Sequence, residues 1–137
     1  MSRIVALADE LVAALNLEFG GVAPAQRVYW VAQQLERLTD KRIVVVPTAK
    51  AQKQLTREKS EWELVLDVAV QQKTAITNAA LDPLMDLVEQ VETFINNTKL
   101  NAGRILECRN EPIYSEEHLK QFGVFTSLLV CTYRRWD

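Results

Sequence analysis

A chain of 137 residues is long enough for one domain with its own core, and 48% hydrophobic with 25% charged residues excludes a disordered segment. A formal net charge of −2 excludes a global pull towards nucleic acid or an anionic membrane. The charge is unevenly spread, with nine Lys/Arg against six Asp/Glu in residues 1–60 and seven against twelve in residues 61–137, a polarity suited to self-association through complementary surfaces.

Ser2 is a good N-cap, and Ile4, Leu7, Leu11, Val12 and Leu15 share one helical face. This predicts a first helix ending near Leu17, before Gly20-Gly21, whose freedom to take positive φ suits a helix stop and turn. Asp9 and Glu10 interrupt the early apolar run too soon for a signal peptide, and no run is long enough to span a bilayer. Pro24 keeps the next residues extended. The β-branched and aromatic run Arg27–Val31 reads as a strand, and Gln33–Asp40 as a loop or a short helical turn. Arg42–Val46 is a second strand, stopped by Pro47, which has no N–H to give a neighbour.

Thr48–Ser60 has Leu55 as its one large apolar residue and carries Lys50, Lys53, Arg57 and Lys59 against a single acid, Glu58. So polar a stretch between two strands predicts a long exposed loop at 48–60, mobile in the free subunit and ordered by a contact. The next strand is the clearest element of the chain. Trp62, Leu64, Leu66, Val68 and Val70 alternate with Glu61, Glu63 and Asp67, the signature of one buried and one wet face.

Gln71–Ala80 reads as a linker, after which Asp82-Pro83 has the form of a helix start, carboxylate cap followed by proline. Leu84, Leu87, Val88, Val91 and Ile95 make the inward face of this second helix. Asp82, Asp86, Glu89 and Glu92 follow at spacings of four, three and three, forming an acidic stripe with no Lys or Arg between Asp82 and Thr98. That stripe is either a solvated face or a partner surface. Arg104–Arg109 alternates as a strand, Glu111–Tyr114 breaks it, and Ser115–His118 looks like a capped helical turn. Phe122–Tyr133 closes the chain as a strand apolar on both faces, either a central strand covered on each side or one whose second face is buried by a neighbour. Together these elements predict a single α+β domain over 1–137, with a mixed, mostly antiparallel sheet of about five strands covered by two main helices.

Little in the sequence points to catalysis. His118, the sole histidine, stands in a polar turn with no evident partner, and the four glycines form no phosphate cradle. The His, Cys and acidic positions match no metal spacing, so no catalytic, cofactor or metal site is assigned and a non-enzyme is expected. Cys108 and Cys131 read as small buried fillers in a reduced, cytosolic setting, with a disulfide between adjacent strands left open. The basic loop lacks aromatics for base stacking. Phosphate contact is open to it; specific recognition is not. Trp136, in the aromatic–basic tail Tyr133–Trp136, is expected to pack locally.

Several phrases together carry a family likeness. They are the amphipathic first helix, Arg42-Ile43-Val44-Val45-Val46-Pro47, the polar stretch leading to Trp62–Val70 with Gln71-Gln72-Lys73 behind it, the Leu81–Phe94 helix, Glu111-Pro112-Ile113-Tyr114 before Glu117-His118-Leu119, and Phe125–Leu128 with Thr132–Arg134. In these the chain resembles the tail terminator (tail completion) proteins of long-tailed bacteriophages over nearly its whole length. The resemblance implies a virion protein in the tail or neck, assembled in the host cytoplasm. It implies a hexameric ring that caps the tail tube, stops its polymerisation and joins a head-completion or neck protein, with DNA passing through the lumen unbound. A ring needs two unlike patches, and Lys50, Lys53, Arg57 and Lys59 with Asp82, Asp86, Glu89 and Glu92 are the candidates for the subunit or tube interface. Facing the lumen instead, the acidic stripe would repel DNA phosphates. The competing readings are another neck or head-completion (head–tail connector) component, a non-enzymatic binding module or assembly chaperone, and a nucleic-acid binder.

Overall fold

A computed structural model describes every residue except Met1, Gln34 and Thr39, and the backbone alone of Glu36. The fold is α+β, as expected from the sequence: a five-stranded, mostly antiparallel sheet with helices. Helix α1 spans Arg3–Phe19, two residues beyond the expected end, with the Ser2 hydroxyl accepting from the Val5 N–H at 3.2 Å. Leu7, Leu11, Leu15 and Phe19 form its buried face. Gly20 does not use the left-handed region: its φ is −56°, and its N–H closes a last turn on the Asn16 carbonyl.

Strand β1 is Ala25–Arg27, shorter and earlier than the expected Arg27–Val31. The side-chain amide of Asn16 decides this. Its Oδ1 accepts from the Ala25 N–H at 2.8 Å and its Nδ2 donates to the Ala25 carbonyl at 3.0 Å, so α1 clamps the strand at its first residue. β1 pairs in parallel with β2 (Arg42–Gln54) through Ala25↔Ile43 to Arg27↔Val45. The chain then leaves the ladder, and Val28 and Val31 pack with Val44, Val46 and Ala69 on the sheet face opposite α1. Leu35 and Leu38, at a 3-10 turn over Leu35–Arg37, extend this cover onto Val124; Gln34 and Thr39 of the same stretch lie outside the described residues.

The largest departure from the sequence reading is at 48–60, which is not a loop. β2 runs through Pro47 to Gln54 and pairs antiparallel with β3 (Ser60–Lys73), leaving only Leu55–Lys59 as the turn. β1 stops opposite Val45, so β2 beyond that point has no neighbour on its far side and proline is tolerated there. The register shifts between Pro47 and Ala49; Thr48 is the extra residue, and its hydroxyl donates to the Val65 carbonyl at 3.1 Å. Backbone pairing holds the outer half of the hairpin although its β2 side chains are all exposed. In the turn, Thr56 Oγ1 accepts from the N–H groups of Glu58 and Lys59.

Helix α2 spans Asn78–Asn97, with the Thr77 hydroxyl as its cap, accepting from the Ala80 N–H at 3.2 Å. Asp82 is therefore not the cap, and Pro83 lies inside the helix. The proline forfeits one bond, to the carbonyl of Ala79, whose residue is exposed and open to water. The supposed linker shrinks because β3 continues to Lys73. Strand β4 (Arg104–Asn110), helix α3 (Glu116–Phe122, capped by Ser115 and ended by Gly123 at φ +64°) and strand β5 (Val124–Trp136) follow.

The strand order is β1-β2-β3-β5-β4. β5 lies between β3 and β4, and its two apolar faces are both covered: Phe125, Leu129, Cys131 and Tyr133 face the core under α1 and α2, while Val124 and Leu128 meet the cover on the opposite face. The main core lies between the sheet and α1 with α2: Leu64, Leu66, Val68 and Val70 of β3 meet Leu7, Leu11 and Leu15 of α1 and the expected inward row Leu84, Leu87, Val88, Val91 and Ile95 of α2.

Candidate assembly surfaces

The four basic candidates gather on the outer half of the β2–β3 hairpin. Lys50 and Lys53 stand on β2 opposite Leu64 and Glu61, and Arg57 and Lys59 occupy the turn. All four are exposed, and among the described residues none forms an ion pair. Glu61, the acid facing Lys53 across the ladder, is instead held by Arg134 at 2.6 Å.

The acidic candidates divide. Asp86 and Glu89 line an open groove of about 860 Å³ between α2 and the end of α1, where Glu18 joins them. Phe19 and Phe94 line the same groove, packed edge to face at 5.5 Å. Asp82 is exposed one turn earlier on α2. Glu92 departs from the stripe: it is half-buried, and its charge is felt at Cys108 and Cys131 under the sheet's β4 side. Glu18 was invisible as a partner of Asp86 and Glu89 because only the packing of α1 on α2 brings them together. Among the described residues, Glu18, Asp82, Asp86 and Glu89 also form no ion pair.

The two patches lie at opposite ends of the molecule. The start of α1 is fixed beside the hairpin, with the Arg3 guanidinium 4.4 Å above the Trp62 ring and 2.8 Å from the Asp137 carboxylate. Asp137 in turn exchanges backbone hydrogen bonds with Ser60. Glu18 stands fifteen residues further along α1, about 22 Å away, and the hairpin turn projects the other way. A basic arm and an acidic groove so placed are out of each other's reach within one chain.

No family model matches this chain, and no curated protein matches it.

Other candidate chemistry has a structural occupation. His118 has a partner after all: its Nδ1 lies 2.9 Å from Thr126 Oγ1, which also accepts from Gln71 Nε2 at 3.2 Å. Gln71 donates to the Val31 carbonyl as well and accepts from Arg42 Nε, so the network ties the Val28–Leu38 cover to the sheet. Burial holds His118 below the ordinary histidine value, the neutral form that a polar strut requires. Cys108 and Cys131 are cross-strand partners with sulfurs 3.5 Å apart. Their mutual hydrogen bond lowers the Cys108 pKa; the same bond and burial push Cys131 far up. Among the described residues no cluster of three or more His, Cys, Asp or Glu is placed to hold a metal, and no helix is long and apolar enough to cross a membrane.

Two aromatics of the expected strand Arg27–Val31 lie outside it and are exposed. Tyr29 and Trp30, 69% and 67% exposed, follow β1 where a strand would have buried one of the pair. The adjacency of two aromatics was the available signal. Arg27 stacks on the Tyr29 ring at 5.3 Å while its Nε donates to Asp9. Trp136 is half exposed under the Arg134 guanidinium, 5.8 Å from its ring centre.

Proposed function

We propose that the chain is a non-enzymatic structural subunit that assembles head to tail into a closed ring, and that this ring caps a bacteriophage tail tube. The observation that carries the assembly reading is the pair of unlike, internally unpaired charged surfaces at opposite ends of one molecule. Unlike patches repeated by a rotation generate a ring when the rotation closes. The hairpin of one subunit, bearing Lys50, Lys53, Arg57 and Lys59, enters the groove of the next at Glu18, Asp86 and Glu89, with Asp82 at the rim.

The viral placement comes from the resemblance, and the α+β fold with its long β2–β3 excursion is compatible with a tail terminator where a mainly helical neck adaptor is not. In that role the ring ends tube polymerisation and presents a surface to a head-completion or neck protein, in the virion after assembly in the host cytoplasm. Six subunits is the number the resemblance implies. The genome passes through without specific binding, since residues 48–60 carry no aromatic residue and Trp62, the one aromatic of the hairpin, is already covered by the Arg3 guanidinium.

Negative-stain images of the purified protein, alone and mixed with tail tubes, test the proposal. Rings seated at tube ends are the expected result. A protein that stays dispersed, or coats tube walls without ending them, overturns it.

A further inference from the structure

The antiparallel register sets Cys108 of β4 directly opposite Cys131 of β5 on the helix-facing side of the sheet. Their sulfurs are 3.5 Å apart as free thiols. The two differ in access: Cys131 is fully buried, whereas Cys108 is partly exposed at the sheet's edge strand. A disulfide requires sulfurs about 2.05 Å apart on α-carbons about 4.4–6.8 Å apart, and directly opposed antiparallel residues have α-carbons about 4.5–5.5 Å apart. Turning the two side chains therefore closes the gap without moving either strand. Neither cysteine belongs to the charged surfaces, so the chemistry of the pair is independent of ring assembly.

We infer that Cys108 and Cys131 form a thiol–disulfide exchange site for small-molecule disulfides of the glutathione class, with Cys108 as the attacking thiol and Cys131 as the resolving one. The Cys108 thiolate attacks one sulfur of the small disulfide, breaking its S–S bond and expelling one thiolate, which leaves a mixed disulfide on Cys108. The Cys131 sulfur then gives up its proton and attacks Cys108 Sγ, expelling the second small thiolate. Two protein thiols are oxidised, one small disulfide is reduced to two thiols, and the two protons released by the cysteines end on those products. The roles follow from access and from the hydrogen bond that favours the Cys108 thiolate. The product staples β4, the edge strand in the order β1-β2-β3-β5-β4, to β5.

The test uses the intact folded chain in mixtures of reduced and oxidised glutathione. Expected are a monomer lighter by two hydrogens with no titratable thiol, and slower amide exchange across Arg104–Asn110 than in the reduced protein. Cys131→Ala stops at a single glutathione adduct on Cys108, and Cys108→Ala resists modification while folded. Phenylarsine oxide, which bridges paired thiols, blocks both cysteines of the unaltered protein at one equivalent and so provides a readout independent of whether the variants fold. Retention of both thiols in oxidised glutathione, a stable glutathione adduct on the unaltered chain, cross-linking between chains, or failure of phenylarsine oxide to block both sulfurs overturns the inference.

Discussion

Reversing the hairpin charge should abolish assembly without touching the fold. The informative variant is Lys50→Glu/Arg57→Glu/Lys59→Glu. Lys53 is spared because it faces Glu61 across the ladder, where a second acid would cost several tenths of a kcal/mol. The three chosen side chains are exposed and, among the described residues, make no ion pair, so unfolding stability should move by less than about 0.5 kcal/mol. At the interface each reversal exchanges an attraction for a repulsion. With exposed pairs worth up to about 1 kcal/mol, three reversals weaken one contact by ~3 kcal/mol, or roughly a hundredfold in association constant. Thermal melting followed by circular dichroism checks the first figure, and sedimentation velocity across a concentration series checks the second. The loss should shrink as added salt shortens the screening length from about 10 Å at 0.1 M to about 3 Å at 1 M. The decisive arm is complementation. Asp86→Lys/Glu89→Lys should also fail to assemble alone, yet an equimolar mixture of the two variants should form alternating rings, because each acidic hairpin meets a basic groove and each basic hairpin an acidic one. A triple variant that assembles like the unaltered chain, or a mixture that stays monomeric, would refute the hairpin-in-groove contact.

Three further outcomes are expected. The Tyr133 hydroxyl is buried with no hydrogen-bond partner among the described residues, so Tyr133→Phe should raise stability by about 1 kcal/mol in urea unfolding, having removed an unpaired polar group from the core. His118 has a folded-state pKa below its unfolded value; near pH 6.5 the unfolded chain therefore binds more protons, its contribution to stability is complete above that pH and declines as pH falls towards the depressed value. His118→Gln should flatten that part of the stability–pH curve in matched urea titrations. Oxidising Cys108 and Cys131 closes a loop of about 24 residues, worth ~3 kcal/mol in the chain-entropy account, and calorimetry should show a melting temperature about 10 °C higher; an oxidised monomer that melts no higher would mean that bridging strains β4.

Much of the fold was legible where a side-chain pattern and a tertiary face coincide. The alternation from Trp62 to Val70, the row Leu84 to Ile95 and the Ser115 cap appear where expected because each residue's position along the sequence already states which way it points. The outer hairpin was illegible for the opposite reason. Ala49–Gln54 owes its extended form to hydrogen bonds with a strand that β5 has already fixed, and such bonds ask nothing of the side chains. Asp82-Pro83 had the form of a helix start, but Thr77 caps one turn earlier and the intervening alanines prefer the helix. Of the candidate site, the basic cluster and Asp86 with Glu89 could be named from sequence; the addition of Glu18, the departure of Glu92 and the meeting of Cys108 with Cys131 depend on packing and register.

The extra residue at Thr48 interrupts the ladder once, and beyond it β2 follows β3 stiffly to the turn while β3 is backed by β5 from Glu61 to Lys73. An arm braced in this way arrives at its neighbour already shaped. A disordered segment of the same length would surrender about 1–2 kcal/mol of backbone freedom per residue on docking, enough to cancel every electrostatic gain its four cations can offer. With that entropy spent during folding, a few weak, salt-sensitive contacts suffice to join subunits, and they remain weak enough for a wrongly placed subunit to let go and try again.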